Sequence, residues 1–183
     1  MRRARWVGLL ALLMALGCAT GTGYYAYARH TPAQPQHTLT PGQSVEAKGV
    51  RYRLDSFTVA ESLPAEEKDD PPVRGPAGSE IVLLIITQTV VDHAVRLDEH
   101  TCDATLVADG GHGPATVWRP ELDITFALRR PEALGCGDTS SNPLAYGVDR
   151  QIGYSFVVPA SVTGDVSGRL SSEDDSVVIA LRP

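Results

Sequence analysis

Two cysteines, Cys102 and Cys136, stand 34 residues apart in the body of this chain, and a third, Cys18, lies inside an N-terminal apolar run. Such a pair supports three chemistries: a disulfide, a thiolate nucleophile, or a share in a metal site with nearby histidines. The nucleophile reading centres on Thr101-Cys102. Asp98, Glu99 and Asp103 crowd that position with negative charge, which opposes formation of a thiolate. The metal reading centres on His93, His100 and Cys102, whose spacing lacks the paired rhythm of a zinc site. The only methionines, Met1 and Met14, precede the body, so a methionine-ligated copper site is excluded there. The acidic runs Glu66–Asp70 and Glu173–Asp175 lack the alternating pattern of a calcium loop. Gly110-Gly111-His112-Gly113 lacks the Lys-Ser/Thr of a phosphate-binding loop, and no Gly-x-Ser-x-Gly is present. A Cys102–Cys136 disulfide is therefore expected. No catalytic set, metal or cofactor is expected.

The compartment follows from the N-terminus. Arg2, Arg3 and Arg5 precede a stretch from Trp6 to Tyr27 with no charged residue. A basic cluster followed by an apolar run reads as an export signal. At 1.5 Å per residue, 22 helical residues span about 33 Å, enough for the hydrocarbon core of a bilayer. Residues 1–28 are expected to be a signal or a transmembrane anchor, with the N-terminus cytoplasmic. Met14-Ala-Leu-Gly-Cys18 also offers a site for lipidation at Cys18. Either route leaves the body outside the cytoplasm, where thiols pair.

The charge argues against a nucleic-acid-binding role. The 183 residues carry 16 basic and 22 acidic side chains, for a net charge of −6. Four arginines and no acid fall within residues 1–30, so the remainder has 16 − 4 = 12 basic against 22 acidic residues, a net of −10. A surface this acidic is a poor match for phosphate backbones.

The elements that must position these residues read as strands. Residues 29–43, with Pro32, Pro35 and Pro41, read as an extended linker. The body is placed at residues 44–183. Ser44–Ala47 and Val50–Leu54 form a hairpin about Lys48-Gly49, and the apolar alternation slips by one near Asp55-Ser56, the mark of a β-bulge. Ile81–Val91 is apolar on both faces and is expected to be central. Further strands are expected at Cys102–Val107, Thr116–Trp118, Leu122–Phe126, Tyr146–Val158, Val166–Leu170 and Val177–Leu181. Residues 64–80 hold Pro64, Pro71, Pro72 and Pro76 and read as one long loop. That loop, with Glu66, Glu67, Asp69, Asp70 and Arg74, is the candidate interaction surface, and Trp118 reads first as core or strand-edge packing, with a partner-facing hot spot as the alternative. About seven to nine antiparallel strands after one N-terminal apolar helix indicate an all-β sandwich.

The anchor, the Pro-rich linker, the loop running through Gly78 into Ile81–Val91, the Leu106-Val-Ala-Asp-Gly-Gly111 hairpin and Phe156-Val-Val-Pro159 before two last strands carry a resemblance. The chain resembles the membrane-anchored, immunoglobulin-like envelope proteins of Gram-positive, actinobacterial-type bacteria. Arginine outnumbers lysine 14 to 2, in keeping with a high-GC genome. The resemblance implies an immunoglobulin-like fold and an envelope location, and brings no catalytic residues. The expected function is non-enzymatic: a domain held outside the membrane for interaction with an envelope protein or cell-wall ligand. The alternatives are an envelope thiol enzyme using Cys102 and an extracytoplasmic metal-binding protein.

Overall fold

The computed structural model describes residues 34–65, 67, 69–108, 116–128, 135–138, 143–172 and 176–183. The expected N-terminal apolar helix, Cys18, Glu66 and residues 29–33 of the linker lie outside them. Pro35–Pro183 forms one compact unit. In chain order its strands are β1 (His37–Leu39), β2 (Ser44–Ala47), β3 (Val50–Ala60), β4 (Ser62–Leu63), β5 (Val73–Arg74), β6 (Ser79–Val90), β7 (Cys102–Ala108), β8 (Thr116–Trp118), β9 (Asp149–Pro159), β10 (Val166–Ser172) and β11 (Val178–Leu181). A short helix, α1 (Leu122–Ala127), stands between β8 and β9. No helix among the described residues is long and apolar enough to cross a membrane.

Two sheets make a β-sandwich. One has the order β1-β11-β10-β7-β8 and the other β2-β3-β6-β9. Their inner faces share one core, in which Leu54, Leu84, Ile86 and Ile152 meet Leu106, Leu170, Ile179 and Leu181. The β2–β3 turn is built by Lys48 at φ 47° and Gly49 at φ 76°, the left-handed pair a tight hairpin needs. Gly49 is also hemmed in, since a Cβ there would meet Asp92 Cβ at 2.6 Å. The bulge expected near Asp55-Ser56 is present: pairing of β3 with β6 shifts between Leu54 and Ser56.

The apolar faces of β6 have two destinations. Val82, Leu84 and Ile86 enter the main core. Ile81 and Leu83 face the other way, into a second cluster with Leu63, Val73, Ile124 and Leu128. That cluster corrects the reading of residues 64–80 as loop throughout. Ser62–Leu63 pairs with Val73–Arg74, and this small hairpin lays Leu63 and Val73 over the outer face of the four-stranded sheet.

Three further expectations are corrected. Residues 29–43 are not linker throughout, because His37–Leu39 pairs with β11 and Leu39 is buried in the main core. That pairing is parallel, so the sandwich is not wholly antiparallel. Leu122–Phe126 is helix, not strand. Its alternation of apolar residues implied a shared buried face, yet Leu122 is 56% exposed while Thr125 is 2% exposed. Thr125 faces the edge of β9 instead. The Glu121 N–H donates to the Ser155 carbonyl at 2.8 Å, and Thr125 Oγ1 accepts from the Ser155 N–H at 3.3 Å. The helix thus satisfies both peptide groups of an edge residue that another strand would otherwise bind.

Candidate functional site

The residues that stand out are polar side chains at core positions of one end of the four-stranded sheet. Tyr52, Gln88 and Arg150 are cross-strand partners on β3, β6 and β9. They share the inward phase with Leu54, Ile86 and Ile152. Gln88 is fully buried and Arg150 is 4% exposed. Such groups stay in a core only when hydrogen-bonded.

Their partners lie on one short segment. Arg150 donates to the carbonyls of Gly135 and Gly137 at 2.6 and 2.7 Å. Gln88 Nε2 donates to the Cys136 carbonyl at 3.0 Å. Asp138 accepts the Leu144 N–H at 2.6 Å. Residues 135–138 are therefore fixed by side chains, with Cys136 at their centre. The expected disulfide is present: Cys136 is bonded to Cys102 at the start of β7, with Cα atoms 5.3 Å apart. The Tyr154 hydroxyl lies 3.5 Å from Cys102 Sγ and 3.9 Å from Cys136 Sγ.

Electrostatics follow burial. Desolvation pushes the Tyr52 and Tyr154 hydroxyls far above their ordinary range, so both stay protonated donors. His100, whose Nε2 lies 3.4 Å from the Tyr52 hydroxyl, is lowered by burial and then by the Arg150 charge. Arg150 itself is lowered by burial, against the Asp138 carboxylate, and remains a cation.

Two clefts flank this end. One, of about 470 Å³, is lined by Lys48, Tyr52, Glu99, His100, Ser172 and Ser176 among others. The second, of about 320 Å³, is lined by Cys102, Asp103, Arg119, Pro120, Leu122 and Tyr154, with Gly135 and Gly153 also contributing.

The bulge builds a separate polar array on the outer face. Asp55, the unpaired residue of β3, accepts from Arg53 Nε at 2.7 Å, Thr87 Oγ1 at 2.6 Å and Gln151 Nε2 at 3.1 Å. Burial alone would raise its pKa, but these hydrogen bonds outweigh burial and hold the carboxyl below its ordinary range.

The remaining candidates are dispersed. Glu67, Asp69, Asp70 and Arg74 are exposed on the arm that the β4–β5 hairpin closes. Trp118 is half-buried and packs against the main core. His93 stacks on Tyr146 with centroids 4.3 Å apart, whereas His100 lies beside Tyr52. Among the described residues, no three His, Cys, Asp or Glu side chains gather as a metal site. The bridge engages both sulfurs, so in this state Cys102 has no thiolate to offer. Sequence reading missed Gln88 and Arg150, although parity could have found them. Gln88 falls in the row of Leu84 and Ile86, and Arg150 in the row of Ile152 and Phe156.

No family model matches the chain, and no curated protein matches its sequence. Solved structures do. A conserved hypothetical protein from Bacillus anthracis superposes with a TM-score of 0.55 at 5% identity, over 79% of this chain and 95% of that one. The yjhA protein from Bacillus subtilis gives 0.49 at 10% identity, over 79% and 99%. An uncharacterized beta-sandwich protein from Clostridium difficile 630 gives 0.41 at 11% identity, over 81% and 95%. This chain is similar in fold to the Bacillus anthracis protein, and the likeness is one of fold alone.

Proposed function

We propose that this chain is an exported, membrane-held protein of the cell envelope that presents an immunoglobulin-like domain to a protein or cell-wall ligand. The observation that carries the reading is the Cys102–Cys136 disulfide, because such bridges form and persist in oxidising compartments. The uncharged run from Trp6 to Tyr27 supports export, by anchor or by lipidated Cys18.

Connectivity supports the immunoglobulin-like description. The order β11-β10-β7-β8 matches the G-F-C-C′ sheet of a variable-type domain, and β3-β6-β9 matches A-B-E. Helix α1 stands beside β9, where such a domain has strand D. The interaction surface is the arm bearing Glu67, Asp69, Asp70 and Arg74. Its base is pinned by Leu63 and Val73, so an irregular loop rides on a fixed platform.

The test compares the tagged full-length chain with the triple variant Glu67→Gln, Asp69→Asn, Asp70→Asn in native cells. Expected are cleavage of the body by external protease and one stoichiometric crosslinked partner that the variant loses at an unchanged melting temperature. A body protected inside the cytoplasm, or retention indifferent to the variant, would refute the reading.

A further inference from the structure

We propose that Cys102 is a site of reversible S-thiolation, at which a low-molecular-weight thiol enters the 320 Å³ groove and opens the disulfide from one side only. The two sulfurs are not equivalent. Cys136 has no exposed surface and does not line the groove. Cys102 is half-buried and lines the groove together with Pro120, Leu122 and Tyr154. Exchange requires a thiolate to reach one sulfur directly and to expel the other. Access therefore selects Cys102 as the sulfur attacked and Cys136 as the sulfur expelled.

The step balances without an added oxidant. The incoming thiolate forms a new sulfur–sulfur bond to Cys102 as the Cys102–Cys136 bond breaks. The bond pair leaves on Cys136 sulfur, which then takes a proton from solvent. The bridge is reduced and the small thiol is oxidised into the mixed disulfide. Tyr154 serves the leaving group: its hydroxyl stands 3.9 Å from Cys136 Sγ and can donate to the thiolate as it forms.

Reversibility comes from the anchors of residues 135–138. Arg150 holds the Gly135 and Gly137 carbonyls, and Gln88 holds the Cys136 carbonyl. None of these bonds involves a sulfur. When the bridge opens, Cys136 stays in place, within reach of the mixed disulfide on Cys102. Attack by Cys136 restores the bridge and releases the small thiol.

The test uses the folded full-length chain and L-cysteine as the probe. The reaction is quenched with acid, and the chain is unfolded, alkylated with N-ethylmaleimide and digested with trypsin. Cleavage after Arg96, Arg129 and Arg150 places Cys102 on peptide 97–129 and Cys136 on peptide 130–150, with Cys18 on a third, since Arg119 and Arg130 precede proline and are not cut. The expected result is cysteinylated Cys102 with alkylated Cys136, at least about tenfold over the reverse pattern, under conditions that leave the near-ultraviolet circular dichroism native. Cysteinylation of Cys136, an even mixture, or reduction only in denaturant would overturn the proposal. Tyr154→Phe should slow adduct formation about tenfold, the loss of one hydrogen bond to a charged group. An unchanged rate in a natively folded variant would overturn the role given to Tyr154.

Discussion

Reducing the disulfide in the absence of any other change should lower stability without releasing the end of the sandwich. The bridge closes a loop with a sequence separation of 34. In the chain-entropy description, freeing a loop of that length restores denatured-state entropy equivalent to about 4 kcal/mol at 25 °C. A domain of this size shifts by roughly 2–4 °C per kcal/mol, so the melting temperature should fall by about 8–16 °C. The slope of unfolding against urea should rise, because an uncrosslinked denatured chain exposes more surface. The native signal should persist at zero denaturant, since Arg150 and Gln88 hold residues 135–137 through backbone carbonyls. The assay is urea unfolding followed by near- and far-ultraviolet circular dichroism, with and without a phosphine reductant. A loss under about 1 kcal/mol would refute the loop-entropy reasoning. Loss of the near-ultraviolet signal before urea is added would refute the claim that side chains hold this end.

Other expectations follow from the same contacts. Arg150→Met should cost about 2–4 kcal/mol in urea unfolding, because two charge-assisted bonds disappear while relief of a buried charge returns part of the loss. Gln88→Met should cost about 1 kcal/mol or less, since the lost bond is offset by removing the buried, unpartnered Oε1. An equal loss for the two would sink the argument. His100 has a depressed folded pKa, so its contribution is complete above the unfolded value of about 6.5 and is lost as pH falls through the folded value. His100→Gln should flatten the fall in urea midpoint below pH 7, and an unaltered slope would exclude His100 as its source. Asp55 acts lower: its contribution is present above about 3.9 and is lost as pH falls through its depressed folded value. Gly168→Ala should cost about 1–3 kcal/mol through overpacking. A Cβ there would lie 2.7 Å from Leu84 Cδ1 and 3.1 Å from Leu181 Cβ. A neutral result in thermal unfolding would show that the core yields.

The legible parts of this fold are those coded locally. The Lys48-Gly49 turn, the slip at Asp55-Ser56 and the doubly apolar β6 each follow from a few adjacent residues. The cysteine pair was legible by counting. What escaped depends on partners distant in sequence. His37-Thr38-Leu39 has too short a pattern to announce a strand, and it becomes one through β11, about 140 residues later. Leu122–Ala127 alternates like a strand, but Thr125 is drawn to Ser155, and those bonds decide its conformation. Gln88 and Arg150 look like solvent-facing residues until strand parity places them inward, and their purpose appears only when residues 135–138 fold onto them. The acidic arm was found as an irregular segment, while its hairpin base was masked by its prolines.

The parallel union of β1 with β11 also sets how the domain responds to force. The chain enters the sandwich at His37 and leaves it after Leu181, with His37 opposite Ile179 and Leu39 opposite Leu181. Tension applied between the two ends of the domain therefore pulls these neighbours in opposite directions along their own length. The bonds from the Gln36 N–H to Val178 and from the Arg182 N–H to Leu39 are strained together, in shear, instead of parting one after another. A tether at the N-terminus and a load at the C-terminus would meet a clamp at this seam, and the core behind it would remain sealed until the clamp slipped.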